Sequence, residues 1–180
     1  FYAKASDALC GHAFQTEGRR LRKAQETVPA EILDRLQALW ERRLTVVQAT
    51  TPPTSHAAEL TSFGWWLASA KFDNAWALNQ LTEVLKLVGK VDADHQVVER
   101  LAELATDRPL QTVKCLHLIV EGDTEGWRVH AWRGHARTIL AAAIQGTDIQ
   151  ARQAAIDLVH RLGTRGHFEF RDLLPKTFSS

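Results

Sequence analysis

With 180 residues, 45% hydrophobic and 24% charged, the chain has the balance of one globular domain that can bury a sizeable core, and that balance excludes a disordered segment. A formal net charge of +1 argues against strong general affinity for nucleic acid. No apolar run approaches the ~18 residues that cross a bilayer, and the start FYAKASDALC lacks the apolar core of a signal peptide.

About eight helical segments are predicted in chain order. The first runs from Ser6 to about Arg22. The second opens at Pro29 and carries Ile32, Leu33, Leu36, Leu39, Trp40, Leu44 and Val47 on one broad stripe. Residues 50–55, with paired prolines, form a loop, because proline excludes both helix interior and central strand. A third helix is expected from His56 to Ser69, and a fourth from Asn74 to Gly89 with Asp73 as its N-cap. The fifth uses Val97, Val98, Leu101, Leu104 and Ala105, and the sixth begins at Pro109. Trp132, Ala136, Ile139, Leu140 and Ala143 mark a seventh helix ending at Gly146, and Asp148 caps an eighth through Leu162. Beyond it, the alternation of Phe168 and Phe170 predicts a short extended segment between Gly166 and Leu174. Leu81, Leu101, Leu116, Leu140 and Leu158 are the expected core.

Leu78, Leu81, Val84 and Val88 are echoed by Leu110, Val113, Leu116 and Val120, then by Ala155, Leu158 and Leu162. Gly89, Gly122 and Gly163 stand where a C-terminal helix cap is expected. On this rhythm residues 74–163 resemble the HEAT-like α-solenoid class, which implies an all-α fold of stacked antiparallel helix pairs, or an irregular helical bundle, with an extended binding surface. The whole chain reads as a single helical domain: N-terminal helices over 1–49, repeats over 56–163 and a tail over 164–180. Gly64-Trp65-Trp66 and the stretch from Gly166 to Leu174 resemble the ends of large multidomain bacterial proteins. With phenylalanine first and no methionine, the chain is expected to be the C-terminal part of such a protein.

No phosphate loop, dinucleotide fingerprint, zincin or nucleophile-elbow motif occurs, so the reading is non-enzymatic, with no cofactor. Nor is a metal site expected. His130 and His135 are turned about 140° from each other around a helix, and Cys115 and His117 about 200°. Cys10 and Cys115 read as buried thiols in a reducing, cytoplasmic setting.

Two aromatic clusters are the candidate binding residues. Trp65, Trp66 and Trp76 fall close to Lys71 and Asp73; adjacent Trp65 and Trp66 point about 100° apart, so a narrow stripe cannot easily bury both. In the second cluster Trp127 and Trp132 alternate with Arg128, Arg133 and Arg137. The run Arg19-Arg20-Leu21-Arg22-Lys23 reads as an exposed helix end. A scaffold that binds a protein partner, or a neighbouring domain of the same parent chain, without a membrane, is the leading reading. The alternative is nucleic acid. Some HEAT-like proteins are DNA glycosylases, and that resemblance singles out Asp73 beside Trp66 and Trp76.

Overall fold

The computed structural model describes residues 2–25, 27–50 and 56–175, with side chains from residue 12 onward. Most of the proline-rich loop and the end of the tail lie outside these, as does the Cys10 side chain. The described residues form nine α-helices and a 3-10 helix, with no strand and 77% helix. They are α1 (Tyr2–Lys23), α2 (Ala30–Gln48), α3 (Ala57–Thr61), α4 (Phe63–Ala68), α5 (Asn74–Val88), α6 (Asp94–Leu104), α7 (Pro109–Gly122), α8 (Val129–Gln145), α9 (Ile149–Thr164) and the 3-10 helix Phe168–Leu173. None of the helices is long and apolar enough to cross a membrane. The chain divides into two compact units, Phe1–Val97 and Val98–Ser180.

In the first unit α1 packs on α3 and α4, and both of these pack on α5. An aromatic cluster fills the space between them. Trp40 of α2 lies 5.3 Å from Phe14, 4.6 Å from Phe63 and 5.6 Å from Trp66, ring centre to ring centre. Trp66 stacks on Phe72 at 5.4 Å, and its indole N–H donates to the Phe14 carbonyl at 2.8 Å. Beside the cluster Arg43 donates to the buried carboxylate of Glu59 at 2.5 Å and 2.9 Å.

The expected third helix is divided at Ser62 into α3 and α4. The Thr61 carbonyl accepts the N–H of Asp92 at 2.8 Å, and Trp65 N–H turns to the Ser62 carbonyl, so the regular i to i+4 ladder is interrupted. Gly64 makes this possible: a Cβ there would lie 1.9 Å from the Asp92 carbonyl oxygen. The stripe expected on α2 is also narrower. Of its residues Trp40, Leu44 and Val47 are buried, whereas Ile32 and Leu39 are exposed, Leu39 at 51%, as is Val46, which lies off the expected stripe. Spaced by seven, these three fall along one line about 100° round the helix from Trp40.

In the second unit α7, α8 and α9 each pack on both of the others, and the 3-10 helix rests on α8 and α9. Leu116, Leu140 and Leu158 are fully buried here, as are Leu101 and, in the first unit, Leu81. Cys115 is a buried thiol. Local signals work as physics requires. Asp73 accepts the Trp76 N–H at 2.9 Å, Asp148 accepts those of Gln150 and Ala151, and Pro109 occupies the first turn of α7.

The three glycines behave differently. Gly89 takes φ 68° and closes α5 with a bond from its N–H to the Leu85 carbonyl. Gly122 is still helical, with Asp123 as the cap, and Gly163 lies inside α9. Gly166, at φ 93°, ends α9 instead. Its N–H meets the Gly163 carbonyl while that of His167 meets the Leu162 carbonyl, the paired bonds of a Schellman motif. The segment that follows is a 3-10 helix and not extended. Phe170 is consequently buried while Phe168 faces out beneath Arg171, whose guanidinium lies 4.4 Å from the ring centre. Inside α8, Trp132 departs from helical geometry at φ −126°, ψ 19°, and the turn before it closes with i to i+3 bonds.

Candidate functional site

The residues proposed from sequence separate into structural and exposed groups. Trp66 is core. Trp76 is half-buried, its ring against Phe63 and Phe72, its N–H donating to Glu41 of α2 at 2.7 Å. Asp73 is occupied as the cap of α5, and Lys71 lies in the turn before it, its N–H directed to the Ser69 hydroxyl. These residues tie α2, α4 and α5 together and do not form one surface.

Trp65 has another environment. Gly18 of α1 lies over the Trp65–Trp66 pair, so the two indoles part around a helix that offers no side chain at that point. Trp66 goes inward, and Trp65 lies half-buried under the last turn of α1. The guanidinium carbons of Arg19 and Arg22 are 4.8 Å and 5.8 Å from the Trp65 ring centre, within cation–π range. Arg19, Arg22, Lys23 and Trp65 line an open pocket of about 410 Å³. Arg20, on the other side of the helix, pairs with Glu17, whose carboxylate raises the Arg20 pKa by hydrogen bonding. The basic run thus splits into one neutralised cation and three that face the pocket. Adjacent Trp65 and Trp66 signal this in the sequence, but Arg19 and Arg22 are more than forty positions away and no periodicity joins them.

The second cluster is not a single face either. Trp132 is buried in the core of its unit, whereas Trp127 is 61% exposed and its N–H donates to Glu125. Arg128 gives its backbone N–H to Asp123 at 3.0 Å, and Arg133 is exposed. Arg137 is structural: it donates to the Glu169 carbonyl at 2.9 Å and to the Asp172 carboxylate, joining α8 to the 3-10 helix. That bond holds the Asp172 carboxyl below its ordinary range.

Among the described residues the fold assembles one cluster of ligand-type side chains that helical spacing does not reveal. His130, in the first turn of α8, meets His167 and Glu169 at the start of the 3-10 helix, with ligand atoms of all three within 4.8 Å of one another. Compared with protein-family models, with curated proteins and with solved structures, the chain matches none.

Proposed function

We propose that this chain is a non-enzymatic helical interaction domain that binds an acidic segment of a protein partner, or of a neighbouring domain of its parent chain, at the end of α1. The observation that carries this reading is the convergence of Arg19, Arg22 and Lys23 on Trp65 in one open pocket. Cations held over an aromatic face supply charge and a flat contact surface together, and Trp and Arg are the residue types that most often anchor interfaces. HEAT-like stacking belongs to the same proposal. Its support is that Val113, Leu116 and Val120 are buried at the same spacing as Ala155, Leu158 and Leu162, and that Leu81 and Val84 match the first two of these in α5, whereas Val88, and Leu110 opposite Leu78, are only half-buried.

Nucleic acid is the less favoured ligand. Three cations at one helix end form a short footprint on a chain of net charge +1. Asp73, the acidic residue a glycosylase-like reading would need, is engaged as a helix cap.

The test is fluorescence anisotropy with two probes, a fluorescein-labelled peptide rich in Asp and Glu and a labelled duplex DNA, against wild type, Arg22→Ala and Trp65→Ala. The peptide is expected to bind more tightly at ~0.15 M salt, with Trp65→Ala costing about 2 kcal/mol and Arg22→Ala less. Tighter binding of the duplex, with a steep salt dependence, would transfer the pocket to nucleic acid.

A further inference from the structure

His167 is set in place twice. Its backbone N–H closes the Schellman motif at the end of α9, which turns the side chain back onto the protein and leaves it only 4% exposed. Its Nε2 then lies 2.8 Å from the Gly126 carbonyl oxygen. A carbonyl oxygen can only accept, so Nε2 carries the proton, and the neutral ring presents a lone pair at Nδ1. That atom is buried and meets no hydrogen-bond partner among the described residues. It faces the Glu169 carboxylate, with Oε1 at 3.7 Å, and the His130 ring, centred 5.1 Å from its own.

We propose that His130, His167 and Glu169 form a binding site for a divalent transition-metal ion of the zinc class, with His167 coordinating through Nδ1. Two imidazole nitrogens and one carboxylate oxygen suit zinc or cobalt, whereas magnesium and calcium take oxygen ligands. The buried Nδ1 and the carboxylate both offer electron pairs at a separation too long for a hydrogen bond, and a cation between them turns that repulsion into attraction. The Nε2 bond to Gly126 is the outer contact that typically orients a metal-bound histidine. It is itself supported: the carboxylate of buried Asp123 accepts the N–H groups of Gly126 and Arg128, which shapes the turn that offers the Gly126 carbonyl.

Ligand atoms around tetrahedral zinc stand ~3.3 Å apart, so the cluster needs only a small contraction. The contraction falls on the exposed side chains of His130 and Glu169, while the buried His167 stays in place. Arg137 holds the Glu169 backbone through its carbonyl and leaves the carboxylate available. Three protein ligands leave a fourth position for water or for a donor from a partner.

The metal-stripped protein is titrated with Zn²⁺ against a chromophoric chelator, and with Co²⁺ while its visible d–d absorption is followed. One equivalent is expected to bind, with an absorption band typical of a low-coordinate nitrogen and oxygen site and a zinc-dependent rise in Tm. His130→Ala and Glu169→Gln, both at exposed side chains, are expected to keep the far-UV circular dichroism, lose the cobalt band and weaken zinc binding at least about tenfold. His160→Ala, elsewhere on α9, should leave all three readouts unchanged. Failure of wild type to bind one equivalent of either ion would overturn the proposal, as would undiminished binding by the His130 and Glu169 variants.

Discussion

Gly18 and Trp65 approach so closely that a β-carbon on Gly18 would lie 2.7 Å from the β-carbon of Trp65, and equally near Cδ1 of Trp66. Alanine ordinarily favours a helix over glycine by about 1 kcal/mol. At this position the clash outweighs that gain, because the atom met is anchored to the backbone of α4. Gly18→Ala should therefore destabilise by about 1–3 kcal/mol. Gly134 in α8 has nothing within 4 Å of the same added carbon, and Gly134→Ala should stabilise by about 0.5–1 kcal/mol. Urea denaturation of the two variants side by side checks both signs.

Leu116 of α7 is fully buried where α7, α8 and α9 meet. Truncation to alanine removes apolar contact and leaves a cavity, and Leu116→Ala should cost about 2–5 kcal/mol. A loss well under 1 kcal/mol in chemical denaturation would show that this face does not carry the core.

Glu59 is almost wholly enclosed, and the pairing that makes its burial tolerable is with Arg43, itself partly exposed. Removing Arg43 takes away the guanidinium that donates to this buried carboxylate and leaves it beside His56, whose Nδ1 is 3.8 Å away, so Arg43→Ala should cost about 3 kcal/mol. Replacing both residues with apolar ones, Arg43→Met with Glu59→Leu, should recover much of that loss. Thermal unfolding of the single and double variants measures the difference.

Hydrogen bonding from Arg137 lowers the Asp172 pKa in the folded chain below the ordinary 3.8. A depressed folded value means that the pair's stabilisation is fully present above the unfolded pKa and is lost as pH falls through the folded one. The contribution of the Arg137–Asp172 pair to holding the 3-10 helix should thus be constant near neutrality and fade only in acid. Carboxyl NMR titration is expected to place Asp172 below 3.8 in wild type and nearer to it in Arg137→Gln.

The helices were legible because their signals are local. Asp73, Pro109 and Asp148 act within one turn of themselves, and the buried leucines follow the 3.6-residue period. What escaped depends on distant partners. The interruption at Ser62 comes from the Asp92 N–H, about thirty residues on, and the stripe of α2 narrows because no described helix covers Leu39. Gly163 had the right spacing for a cap, but only positive φ makes glycine necessary, and that falls at Gly166. The site residues were harder still. The sequence marked Trp65 but not the cations above it, and it compared His130 with its helical neighbour His135 when its partner in space is His167.

The irregular backbone at Trp132 sets the first turn of α8 apart from the regular helix beyond it. This turn, which carries exposed His130 beside buried Val129, is joined to the rest of the helix through a residue with φ −126° and ψ 19° and closes with i to i+3 bonds, so it is expected to open more readily than the regular turns beyond. In native-state hydrogen exchange, the amides of His130 and Ala131 should lose their protons through a local fluctuation, well before those of Ile139 and Leu140. The helix therefore combines a slowly exchanging stem with a yielding tip.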